Sequence, residues 1–355
     1  MKKNIMLQSS NQSKYGIAVS SNQDSSFFSN CCTDSLQKQG LKNWSFFALF
    51  EGHDGGFVSE FLSKELLNSI LNADQELFNY LVNTHPDMIH NDDKQIANRM
   101  KEAINKAILD IDKNMSNLDE IKKFAQNANF PGSTAVACLI SPTHIYLINC
   151  GDSKAIFVSD NRIKSITREH LVIFSEEKTR IENANGIFGL YDIYYKGCKS
   201  NITRSFGDYH FKANLDKTQL EQIITAQPDI HVNKRSASDE FILLASKSVW
   251  NTFDTENLKN YIHSKLKTTD NLSKICQEIE YIFFKKVTRF LVNIVDNYFF
   301  NYSNKVKDQG MCIILVGLLG SSKIDDAEIT KENQFNDKIK NNVESINNFL
   351  FFSNF

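Results

Sequence analysis

Three strand-like runs, 134–140, 144–149 and 154–159, follow one another with only a Ser-Pro-Thr and a Cys-Gly-Asp turn between them. Short runs of apolar and β-branched residues punctuated by turn formers read as an antiparallel meander. Helical patterning is confined to separate blocks. Before the meander lie two buried strands, 15–19 and 44–50, and then a helix from Phe57 with Val58, Phe61, Leu62, Leu66, Leu67, Ile70 and Leu71 at helical spacing. A second helix follows over 93–111. After the meander come a strand over 240–245, helices over 254–265 and 272–300, and a closing strand over 311–319. Strands and helices segregated in this way predict an α+β sandwich of sheets flanked by helices, not a strictly alternating parallel sheet.

Composition narrows the function classes. With 40 basic and 42 acidic residues the net charge is -2, and no long run of one sign occurs, so capture of nucleic acid or of an anionic membrane is not expected. The seven cysteines show neither a Cys-x-x-Cys pair nor zinc spacing, which points to reduced thiols in a cytoplasmic, or nuclear, protein. After Lys2 and Lys3 only three apolar residues follow, too few for a signal-peptide core. The most apolar window, 281–300, carries Lys285, Lys286, Arg289 and Asp296, charges that are costly in lipid, so it reads as a packed amphipathic helix. The expected organisation is one domain over 1–319 and a tail over 320–355, where Ile339, Val343, Ile346 and Leu350 line one face of a short helix.

Five ordered segments then carry a resemblance. They are Phe50-Glu51-Gly52-His53-Asp54-Gly55; Gly132-Ser133-Thr134-Ala135 with Gly151-Asp152-Ser153-Lys154-Ala155; Arg180-Ile181-Glu182-Asn183-Ala184; Thr203-Arg204-Ser205-Phe206-Gly207-Asp208 with Gln227-Pro228-Asp229; and Asp239 to Asn251. One such match would mean little. In this order they are similar to the metal-dependent type 2C Ser/Thr protein phosphatases. The resemblance implies two packed antiparallel β-sheets, a β-sandwich flanked by α-helices, with a metal site in a cleft at one end.

The family reaction uses two Mg- or Mn-type cations that activate a water and neutralise phosphoryl oxygens, and such hard ions need oxygen ligands. The resemblance carries the ligand positions onto Gln23, Asp24, Glu51, Gly52, Asp152, Lys247, Asp308 and Gln309. Several have changed. Glu51 stands for the family's bridging Asp, one methylene longer. Gln23 is an amide where the family has an acid, beside a surviving Asp24. Gln309 takes the last ligand's place, with Asp308 one residue early. Gly52 and Asp152 are kept. At Lys247 an ammonium replaces a carboxylate, so a dication is repelled by about 8 kcal/mol where it was attracted, taking 4 Å and an effective dielectric near 20. The phosphate-gripping Arg of the family's first strand is missing, since no arginine precedes Arg99.

These positions read as vestigial. No bound cofactor is expected, and His53, matching the family's general acid, has no activated water to act on. Lys247 is expected to pair with Glu51 or Asp24. Arg204 with Asp208 reads as a bracing pair, and Arg180 with Glu182 as a solvated helix face or salt bridge. The function that follows is a catalytically impaired phosphatase-like domain acting as a regulator or adaptor for a protein partner. The alternative is a divergent metal-dependent Ser/Thr phosphatase using Glu51, Asp24, Asp152 and Asp308 around Mg or Mn.

Overall fold

The computed structural model describes residues 14–20, 28–34, 36–41, 43–84, 93–127, 130–295 and 311–318, all in the unit Met1–Leu319. The chain runs β1 (Lys14–Ser20), β2 (Phe28–Asp34), β3 (Ser45–His53), α1 (Phe57–Ala73), α2 (Gln75–Asn83), α3 (Asp93–Met115), α4 (Asp119–Gln126), β4 (Gly132–Ile140), β5 (His144–Cys150) and β6 (Lys154–Ser159). It continues through β7 (Arg162–Ile166), α5 (Ser175–Asn183), β8 (Ile187–Phe188), β9 (Ile193–Tyr195), β10 (Cys198–Ser200), β11 (Phe206–Gly207) and β12 (Asp229–Lys234). Then come β13 (Asp239–Ala245), α6 (Lys247–Thr252), α7 (Thr255–Leu266), α8 (Leu272–Val295) and β14 (Met311–Gly317).

Two antiparallel sheets result. One has the order β1-β14-β13-β6-β7; the other is β12-β5-β4-β3-β2, with β11 pairing onto β4. Strand side chains alternate between faces, so a strand buried on both sides must be apolar at nearly every position. β4 is such a strand: Ala135, Ala137 and Leu139 face a core shared with α1, α2, α3 and α4, while Val136, Cys138 and Ile140 face the opposite sheet. In β13 and β14 the same division holds. Phe241, Leu243, Ile313 and Leu315 pack beneath α6, α7 and α8; Ile242, Leu244, Ile314 and Val316 fill the space between the sheets. Helix, sheet, sheet, helix is therefore the layering, as the sequence predicts.

The meander is corrected. β4 and β5 do pair, Ala135 to Cys150 through Ile140 to Ile145, but β6 leaves for the other sheet and pairs with β13 and β7. The Cys-Gly-Asp segment is thus a crossover between sheets. Gly151 permits it, with φ +120 and so little room that a Cβ there would lie 2.4 Å from Thr134.

Unforeseen elements are short or weakly patterned: β2, α2, α4, β7, β11, β12, α6, and the small sheet β10-β9-β8. The expected helix from Phe57 is α1, which carries the stripe through Leu71 and ends at Ala73. Asp74 accepts the Leu77 N–H at 2.9 Å and so caps α2 as a new helix, held by the Arg99 guanidinium at 2.9 Å. Residues 296–300 of the expected last helix, the end of the closing strand at 319 and the tail 320–355 lie outside the described residues, as do Gln23, Asp24, Asp308 and Gln309.

Candidate functional site

Three chain reversals at one end of the sandwich bring the motif residues together. β3 ends in Glu51-Gly52-His53, paired with Thr134, Ser133 and Gly132 of β4. The sheet-to-sheet crossover supplies Asp152 and Ser153. β13 ends at Ala245, and Ser246 turns the chain into α6 while its N–H donates to the Cys312 carbonyl at 3.0 Å. Trp250 anchors that turn, its indole N–H donating to the Ala245 carbonyl at 2.9 Å and near the Lys154 carbonyl at 3.1 Å. Lys247 is the first residue of α6 and faces the carboxylates.

Lys247 Nζ donates to Asp152 Oδ2 at 2.6 Å, and the Lys247 backbone N–H donates to Glu51 Oε2 at 3.1 Å. The same Glu51 oxygen accepts from the Ser153 hydroxyl. Of the two expected partners, Glu51 is corrected, since the ammonium bonds Asp152 and Glu51 receives main chain instead, while Asp24 lies outside the described residues. The reason is the direction of the turn, which aims the Lys247 N–H into the end of β3 and its side chain toward the crossover. Burial, then the nearby Asp152 charge, raises the Glu51 pKa to about 7 against the opposing pull of Ser153 and Lys247.

Do these groups fit a magnesium or manganese ion? Among the described residues no three His, Cys, Asp or Glu side chains group as a metal would require. More directly, the Asp152 carboxylate is bound to an ammonium, and one Glu51 oxygen already accepts two donors. An ammonium cannot ligate, and its charge opposes a dication. Of the eight positions carried over, Glu51, Gly52, Asp152 and Lys247 are described, and among these Lys247 sets an ammonium against a dication.

Beside it sits a second charged pair. His53 Nε2 lies 2.8 Å from Asp208 Oδ2, which also accepts from the Ser205 hydroxyl. Burial opposes charge on His53, but the Asp208 carboxylate outweighs it and raises the pKa to about 9, so the imidazole is cationic at neutral pH. Asp208 is buried and, despite that burial, held below the usual carboxylate range by His53 and Ser205. Only glycine fits at 132: a Cβ there would stand 2.3 Å from His53 Nε2 and 2.4 Å from Asp208 Oδ2.

The supposed Arg204–Asp208 brace is therefore not formed. Arg204 donates to the fully buried Glu177 at 2.9 Å and 2.5 Å and to Asp229 Oδ1 at 3.1 Å. Arg180 forms an ion pair with Glu177, 2.7 Å from Oε2, and donates to the carbonyls of Thr203 and Gln222, while Glu182 faces solvent. Glu177 and Ser153 were passed over in the sequence. The spacing of Glu177 three residues before Arg180 on one helix was the available sign for the first; Ser153 follows Asp152 in the crossover, and only the fold reveals its partner.

A family model for protein phosphatase 2C matches residues 15–281. Protein phosphatase 1A from Homo sapiens is 30% identical over 308 residues, spanning 86% of this chain and 71% of that protein. Protein phosphatase 1B from Homo sapiens is 30% identical over 307 residues, 86% of this chain and 57% of its own length. The crystal structure of serine-threonine phosphatase 2C from Toxoplasma gondii shares the fold, with a TM-score of 0.69 at 15% identity over 89% of this chain and 98% of that one.

Proposed function

The chain belongs to the protein phosphatase 2C family, and we propose that it acts as a pseudophosphatase, a phosphatase-shaped regulator or adaptor that binds a protein partner without hydrolysing phosphate. One observation carries this reading: the Lys247 ammonium sits 2.6 Å from Asp152, on an acid that a metal would need. Removing a dication from such a cleft leaves converging carboxylates uncompensated, and a lysine relieves them where they are partly shielded from water. Glu51, held by hydrogen bonds at one oxygen, is placed for support of the loop rather than for bridging two ions.

Purified protein in manganese or magnesium is expected to turn over neither p-nitrophenyl phosphate nor a phosphopeptide above a denatured control. A second reading, a divergent Ser/Thr phosphatase, draws on the intact His53–Asp208 pair, a cation able to protonate a leaving group. Metal-dependent turnover that Glu51→Ala abolishes would decide for it.

A further inference from the structure

A pair of thiols lies directly behind this site. Cys31 on β2 and Cys312 on β14 belong to opposite sheets, are separated by 281 residues in sequence, and bring their sulfurs to 3.2 Å. Strand alternation explains the meeting. Cys31 and Ser29 share one face of β2 and oppose Leu49 and Glu51 of β3, so this face looks between the sheets, where Cys312 packs with Ile314 and Val316. Cys32 falls on the other face, against the helix-covered core. Cys31 is part exposed and Cys312 fully buried.

We propose that Cys31 and Cys312 are an oxidation site, an inter-sheet dithiol that a peroxide closes into a disulfide. A disulfide needs about 2.05 Å between sulfurs, so the closing movement is on the order of an ångström. Peroxide enters at the accessible sulfur. The Cys31 thiolate attacks one peroxide oxygen, the O–O bond breaks, and hydroxide leaves to take up the thiol's proton as water. Cys31 is then a sulfenic acid. The Cys312 sulfur attacks the Cys31 sulfur, the S–O bond breaks, and the Cys312 proton departs with the hydroxyl as a second water. Two thiols are oxidised and one peroxide is reduced. Burial raises the Cys312 pKa well above the usual thiol value, so the first attack on peroxide falls to Cys31, and Cys312 gives up its proton as it attacks the Cys31 sulfur.

The bond would lock the site end of the sandwich. The Cys312 N–H donates to Ser246 Oγ at 3.1 Å and its carbonyl accepts from the Ser246 N–H at 3.0 Å, and Ser246 leads straight into Lys247. Cys31 is tied to β3 through the same ladder that carries Glu51. This inference does not depend on whether the site hydrolyses phosphate.

The test is hydrogen peroxide on the full chain, followed by intact mass, peptide mapping under non-reducing conditions and thermal melting. A loss of two hydrogens, a peptide joining Cys31 to Cys312, and a melting temperature above that of the reduced protein are expected, because linking distant residues restricts the unfolded chain. Cys31→Ser, at the part-exposed position, is expected to keep the reduced melting temperature and lose the oxidation-dependent rise. Oxidation that only adds oxygen to Cys31, or that links Cys31 to Cys32, overturns the proposal.

Discussion

Lys247 and Glu51 show how far single residues can be read. Both stand in strand-end motifs that resemble those of the family, and that resemblance made the exchange of carboxylate for ammonium visible before any fold. The partner of the ammonium was not, because Asp152 reaches it only through the β5 to β6 crossover between sheets. His53 is the same case: its motif was legible, but Asp208 joins it from 155 residues away. Its raised pKa has a direct consequence. The folded value of about 9 exceeds the ordinary 6.5, so the stabilisation from this pair is full below 6.5 and is lost as pH rises through 9. The His53 imidazole resonance is expected to titrate near 9 and, in Asp208→Asn, to move down toward or below the ordinary histidine range; a wild-type midpoint near 6.5 would remove the pair from the description.

Elements follow their pattern where burial is two-sided. β4, β13 and β14 were legible because apolar residues on both faces leave one structural solution, whereas β8, β9 and β10 have two or three residues each and no period to detect. α5 is held by charge as well as by apolar contact. Burial alone would raise the Glu177 pKa, yet hydrogen bonds and charge from Arg204 and Arg180 lower it from 4.5 to about 2. The shift corresponds to about 3 kcal/mol of stability, present above pH 4.5 and lost as pH falls through 2. Glu177→Gln leaves two buried guanidiniums facing an amide, so it is expected to cost about 3 kcal/mol at pH 7 and to flatten the acid limb of stability between pH 5 and 2. Denaturant melts across that range check it; an unchanged acid limb would show that Glu177 is not the titrating group.

At the scale of the molecule, the sandwich holds two helix-covered cores and a third between the sheets, and the site lies where strands from both sheets end. That architecture was legible from segregated strands and helices together with five ordered motifs. The allocation of strands to sheets was not, since a turn of three residues looks alike whether it closes a hairpin or crosses between layers; β6 was misplaced for that reason. Among the described residues no helix is long and apolar enough to cross a membrane. The proposed loss of activity is electrostatic: an ammonium on Asp152 would keep divalent metal out of the cleft. Calorimetric titration of manganese tests it on the wild-type chain and on the variant combining Lys247→Asp, Glu51→Asp, Gln23→Glu and Gln309→Asp. No tight binding to the wild-type chain, with heat of binding appearing in the variant, is the expected result; tight binding of manganese by the wild-type chain would contradict it.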